Sequence, residues 1–273
     1  MSENELLFSL FFVSCRSKNK VEQPMIKDFD LLQRANNDYT TIDLEHAEEL
    51  AYRELIDSIR YIPLGDECGV MGNIANIITY KGRFYIQEEQ FDRVFIYDDT
   101  GRCLKKIDNK GRGPGEYLRI ESIDINTEKE ELMLVDGMSD KLFFYDLDGN
   151  FKSIHSIRYF QTENTLCLRD SVFLHISAPS QNFGNEGLYG YALVLSKGNE
   201  NFLKGYRYLP LQVGYKGGGQ IFKGYERSCY HPIYSDTIYQ ILSDTTYGPI
   251  FYFKIKNSSW EKYHNSDRFV DID

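Results

Sequence analysis

The chain has 273 residues, 42% of them hydrophobic and 15% aromatic, with a formal net charge of −10 and a pI near 5.1. A chain of this length can bury a large core. Its acidic balance argues against a partner built on a phosphate backbone, so no nucleic-acid partner is expected. The 21 Tyr and 18 Phe suit half-buried pleated sheet, or a ring-lined face of the kind that stacks on sugars.

In chain order, Leu6 to Val13 comes first, an apolar run ending at Ser14-Cys15 and followed by polar Arg16-Ser17-Lys18. The run is too short to span a bilayer as a helix. Apolar run, small residue and cysteine together resemble a bacterial lipoprotein signal, although Glu3 and Glu5 stand where such leaders are basic. That resemblance implies cleavage before Cys15, with Cys15 carrying the lipid and making the only membrane contact. Residues 1–17 are thus read as a signal and lipoprotein segment, 18–40 as a polar tether, and 41–273 as the folded domain.

Thr41 to Leu44 reads as a short strand, Glu45 to Ile56 carries a weak helical spacing, and Ser58 to Leu64 alternates as a strand. From there the sequence repeats. The stretch from Phe84 to Gly101 returns 48 residues later, without a gap, as Leu132 to Gly149. The end of each copy makes the echo plain: Tyr97-Asp98-Asp99-Thr100-Gly101 against Tyr145-Asp146-Leu147-Asp148-Gly149. Two periods on from Asp140-Lys141-Leu142-Phe143 stands Asp236-Thr237-Ile238-Tyr239. A period of this size, built from short strands, marks a β-propeller in which each repeat is one four-stranded antiparallel blade.

The expected sets of strands are 74–80, 84–86, 94–97 and 103–107; then 120–125, 132–135, 142–145 and 151–157; then 165–168, 172–176, 191–195 and 202–209. A fourth set lies between 221 and 255. The fold class is therefore all-β, a propeller with about four to five blades in this chain. In the two Asp–Gly turns, Asp caps the turn and Gly supplies the left-handed conformation that closes it. A calcium loop at Asp146, Asp148 and Asn150 would lack the distant bidentate Glu.

Between the first two sets lies Gly111-Arg112-Gly113-Pro114-Gly115-Glu116-Tyr117, a crossing from blade to blade. No helix follows it, so it is neither a phosphate-cradling loop nor a dinucleotide fingerprint. Glu116 and Tyr117 are read as structural, with a ligand contact at the rim as the alternative. This element and the flanking Tyr-Asp-x-x-Gly turns resemble the six-bladed β-propeller family of bacterial envelope lipoproteins, related in shape to NHL and TolB-like propellers. The resemblance implies six blades, export to the periplasm or outer membrane, a lipid anchor and no established activity. At 48 residues per blade, six blades need more chain than follows residue 60, so the domain is expected to be incomplete at its C-terminal end. Residues 41–44 or 58–64 are then expected either to lack a partner or to pair near the C-terminus.

Five Cys show no CxxC spacing. Cys103 aligns with Phe151 and reads as a small buried hydrophobe, and no disulfide is expected among Cys68, Cys103, Cys167 and Cys229. No HExxH or GxSxG occurs, so no catalytic residue, metal ligand or cofactor is assigned. The expected function is an envelope-anchored binding or scaffold module for a protein or glycan. Its candidate contact loop is the insertion 177–190, with Phe183, Asn185 and Tyr189. The alternative is a periplasmic lyase or hydrolase with a metal in the central channel, for which His155, His175 and His231 would have to converge.

Overall fold

The computed structural model describes residues 30–31, 33–35, 38–46, 56–157, 162–169, 171–177, 191–197, 201–208, 219–223, 227–232, 235–242 and 246–255. Three short N-terminal strands come first: β1 (Asp30–Leu31), β2 (Gln33–Arg34) and β3 (Thr40–Asp43). The first blade is β4 (Ile74–Tyr80), β5 (Arg83–Glu88), β6 (Arg93–Asp98) and β7 (Cys103–Ile107). The second is β8 (Ser122–Asn126), β9 (Glu131–Asp136), β10 (Lys141–Asp146) and β11 (Phe151–Ser156). The third is β12 (Asn164–Arg169), β13 (Val172–Ile176), β14 (Tyr191–Lys197) and β15 (Asn201–Tyr208). The fourth is β16 (Gln220–Lys223), β17 (Ser228–His231), β18 (Thr237–Ile241) and β19 (Thr246–Lys254).

Every blade is an antiparallel meander in sequence order. Among the described residues the four sheets are arranged as four blades of a β-propeller. The first strand of each blade lies innermost: β4 meets β8, β8 meets β12, and β12 meets β16. The repeat is legible in space as well. Tyr97, Tyr145 and Ile241 each lie on the third strand of their blade, and all three are buried.

The two-sided burial of the blades explains the nearly continuous apolar runs in their middle strands. Leu132 and Leu134 pack toward the first blade, in one cluster with Val94 and Ile96. Their neighbours Met133 and Val135 point the other way, toward Cys167 and Phe173 of the third blade. Strand β10 divides in the same manner, with Phe143 and Tyr145 on one side and Leu142 and Phe144 on the other. Successive residues of a strand face opposite sides, so a sheet between two sheets must be apolar at both. A third cluster joins the last two blades through Leu174, Leu193 and Leu195 against Ile221, Tyr230 and Tyr247.

The turns follow their sequence chemistry. Asp98 Oδ1 accepts from the Thr100 and Arg102 N–H groups at 3.0 Å each and from the Thr100 hydroxyl at 2.6 Å. That hydroxyl, with the two amides, holds the Asp98 carboxyl down to about 2. Asp146 repeats the pattern with the Asp148 and Asn150 amides at 3.0 and 2.8 Å, so its oxygens serve the turn. Gly101 and Gly149 close the two turns at φ 87° and 79°.

Tyr117 is a buried pin in the crossing segment. Its hydroxyl donates to Asp92 O at 2.8 Å and accepts from the Asn109 N–H at 3.1 Å, while its ring meets Phe143 edge-on at 6.0 Å. Burial raises its phenol far above the ordinary tyrosine value. Glu116 is exposed and accepts from the Gly113 N–H at 2.7 Å. Arg112, Gly113 and Pro114 are exposed, and Gly115 takes a φ of 81°. Residues 111–117 connect β7 to β8.

Two expectations require correction. Ser58 to Leu64 forms no strand. The segment runs instead past the turn between β6 and β7, where Arg60 donates to Asp99 O at 2.6 Å and Pro63 lies against Gly101. Cys103 is not a thiol in the core but is bonded to Cys68, 35 residues away, with Cα atoms 5.9 Å apart. The repeat alignment missed this because, among the described residues, no blade neighbours the outer face of the first blade. Cys167 and Cys229 are free and buried, and burial pushes the Cys167 thiol up to about 12.

The N-terminal expectation holds at residues 40–43. Strand β3 runs parallel to β19, with Thr40 opposite Phe251 and Asp43 opposite Lys254. Strands β1 and β2 add in parallel to β15 and β19. Residues 47–55, which carry most of the weak helical spacing, lie outside the described residues, as do Cys15 and the loop with Phe183, Asn185 and Tyr189.

Removing a side chain shared by two blades should be costly. Phe143→Ala is expected to destabilise the domain by about 3–5 kcal/mol, read as a lowered urea midpoint with the cooperative slope retained.

Candidate functional site

The four innermost strands surround a channel with a cavity of about 930 Å³. Each contributes through its polar positions: Asn76 on β4, Ser122 and Asp124 on β8, Asn164 on β12, and Gln220 and Lys223 on β16. The terminal inner strands are the open side. Residues 74–77 of β4 are exposed, Ile77 at 51%, whereas β8 is buried along its whole length.

An innermost strand has one edge without a strand partner, and its N–H groups still require acceptors. On β12 those acceptors come from the previous blade. Asp124 Oδ2 accepts from the Cys167 N–H at 2.7 Å, and Ser122 Oγ lies 3.4 Å from the Thr165 N. The same Asp124 oxygen takes the Lys223 ammonium at 2.6 Å, and Lys223 also donates to Ile125 O at 3.0 Å. Asp124 thus bridges three blades. Burial pushes its carboxyl above the ordinary carboxylate value, while the Lys223 charge and the Cys167 amide oppose that rise. Asp124 is buried in the wall, and Lys223 reaches it from a partly exposed position.

Glu121 also lines the cavity. Burial raises its carboxyl, the charges of Asp136, Asp92 and Glu163 add to the rise, and Arg119 opposes it. Gln87 Nε2 donates to Ile120 O at 3.0 Å and fixes the seam between the first two blades. Among the described residues, Asn164 Oδ1 is buried and accepts no hydrogen bond. Tyr80 and Phe222 supply rings to the lining.

The histidines do not converge. His155 is on the outer strand β11, while His175 and His231 are on the second strands of two different blades. None of the three lines the cavity. His231 Nε2 lies 2.8 Å from Ser235 O. His175 is fully buried between Thr165 Oγ1, 2.9 Å from Nδ1, and Ser196 Oγ, 2.7 Å from Nε2. A neutral imidazole offers one donor and one acceptor nitrogen, which suits two hydroxyls. Burial lowers the His175 pKa to about 3. No group of three or more His, Cys, Asp or Glu placed to hold a metal ion occurs among the described residues.

Sequence reading missed the channel residues. The signal was available as polar side chains interrupting apolar inner strands, as in Ser122-Ile123-Asp124-Ile125-Asn126.

Blade order, innermost strands and central cavity define the protein as a β-propeller. The chain belongs to the family described as a domain of unknown function, DUF4934, whose profile matches residues 39–271. Among solved structures it is similar to a candidate exported protein from Bacteroides fragilis NCTC 9343, at 20% identity and a TM-score of 0.68, over 80% of this chain and 61% of that one. The chain therefore spans less than two thirds of that protein's length. It is also similar to virginiamycin B lyase from Staphylococcus aureus, at 11% identity and a TM-score of 0.44, over 68% of this chain and 57% of that one. A third likeness is BamB from Moraxella catarrhalis, at 12% identity and a TM-score of 0.40, over 64% and 46%. No curated protein matches the sequence.

Two substitutions test the wall. Lys223→Met leaves Asp124 buried without its counter-charge and is expected to cost about 3–5 kcal/mol; adding Asp124→Asn should return much of that loss in denaturant titrations. For His175 the folded pKa lies below the unfolded value of 6.5, so the folded state disfavours protonation. Its contribution is complete above pH 6.5 and falls by about tenfold in the folding equilibrium per pH unit as pH drops toward 3. His175→Gln should flatten that part of the stability profile measured against wild type.

Proposed function

We propose that this protein is a lipid-anchored binding module of the bacterial cell envelope, held through Cys15, and that its central channel receives a neutral polyhydroxylated ligand such as a glycan. The observation that carries this reading is the composition of the cavity wall. Asp124 and Lys223 neutralise one another, and the amides of Asn76, Asn164 and Gln220 line the cavity beside the carboxylates of Glu121 and Glu163, acceptors that suit ligand hydroxyls. An amide donates and accepts at once, as a hydroxyl does, and Asn164 Oδ1 has an acceptor to offer. The rings of Tyr80 and Phe222 complete the mixture of apolar surface and few polar groups found in small-molecule sites. Residues 177–190, with Phe183, Asn185 and Tyr189, are proposed as a second contact region for a protein or glycan partner. The similarity to a candidate exported protein of Bacteroides fragilis supports the envelope. The relation to six-bladed NHL and TolB-like lipoproteins rests on the GxGPGEY element and the Asp–Gly turns.

The test is an array of neutral and charged oligosaccharides probed with the full-length protein in detergent. Neutral oligosaccharides should be retained, and Asn76→Ala combined with Asn164→Ala should weaken retention by about tenfold with an unchanged melting temperature. Absence of retention, or retention indifferent to both substitutions, refutes the channel as the site.

A further inference from the structure

The outer face of the first blade carries the apolar side chains Phe84, Ile86, Phe95 and Tyr97, with no blade beside it among the described residues. It is covered instead by residues 60–73, which bring Cys68 and Met71 onto those four side chains. The covering segment makes contacts that one blade makes to the next. Arg83 of the first blade donates to Leu147 O in the second blade's Asp–Gly turn at 2.8 Å. Arg60 of the segment donates at 2.6 Å to Asp99 O, the carbonyl 48 residues earlier.

The two turn glycines agree. A Cβ on Gly149 would lie 2.9 Å from Ile96 Cδ1 in the first blade, and one on Gly101 would lie 2.0 Å from Pro63 O in the segment. Further bonds run from the Gly65 N–H to Gly101 O at 2.8 Å and from the Tyr97 hydroxyl to Gly65 O at 3.3 Å. The segment has no strand of its own, and its other side is bare, with Tyr61 88% and Val70 84% exposed. Apart from its own backbone, which runs on into β4, the cross-link Cys68–Cys103 ties it to the sheet, and both cysteines are only partly buried and so within reach of a reductant.

We propose that residues 60–73 are a thiol-sensitive strap that stands in for a neighbouring blade, held shut by Cys68–Cys103, and that reducing this bond uncovers the apolar outer face of the first sheet. The step balances with a dithiol reductant. Two electrons and two protons pass to Cys68 and Cys103, which become thiols, and the reductant leaves as its own disulfide. Without the link, the strap retains scattered hydrogen bonds and a small apolar contact, the character of segments that open locally. The bared side chains of Phe84, Ile86, Phe95 and Tyr97 then form a patch that favours self-association.

The experiment compares hydrogen exchange of the full-length protein before and after dithiothreitol, with alkylation mapping of every cysteine. The expected result is protection of Cys68 and Cys103 from alkylation before reduction. After reduction, exchange over residues 60–73 should rise by about tenfold or more, with the second and third blades still protected and an increase in apolar-dye binding. The Cys68→Ser/Cys103→Ser double variant should show the same exchange without reductant. Free thiols at Cys68 and Cys103 in the isolated protein, unchanged exchange over 60–73 on reduction, or simultaneous loss of protection in all blades would each overturn the proposal.

Discussion

Each interior blade of this protein must bury two apolar faces at once, and the rest of the structure answers that demand. The second blade meets it with alternate residues of the same strands, Leu132 and Leu134 on one side and Met133 and Val135 on the other. Burial of such side chains is worth roughly 25 cal/mol per Å² of apolar surface removed from water, so a sheet left bare on one side would forfeit much of its stability. The crossing at residues 111–117 serves the same demand. Its glycines let the chain turn tightly, and Tyr117 closes the gap between two sheets while its hydroxyl is satisfied on both counts.

At the ends of the series the demand is met by other means. The first blade is covered by a segment without regular structure, tied by a disulfide. The third and fourth blades gain outer strands from the N-terminal region, running parallel to β15 and β19. Edge coverage of this kind also occupies backbone groups that would otherwise invite pairing with another chain.

Polar groups inside the assembly follow a second rule, that buried donors and acceptors are paired. Asp124 takes an amide from the third blade and the ammonium of Lys223 from the fourth, so a side chain completes what no strand could reach. His175 sits between two hydroxyls, and burial favours its neutral form because a charge there would be taken out of solvent. Asn164 Oδ1 departs from the rule, and it does so on the wall of the cavity.

The blades were legible because their signal is local and repeated. Strand, Asp-capped turn and left-handed Gly recur at a fixed spacing, and each needs only its immediate neighbours to form. The sequence by itself determined the sheets, their order and the turns at Asp98 and Asp146. Only the tertiary structure decided which polar residues share the channel, that Cys103 meets Cys68, and that residues 58–64 pass along the β6–β7 turn rather than joining a sheet. Those outcomes depend on which side of a sheet lacks a neighbour, and that is a property of the assembled blades that no single repeat carries.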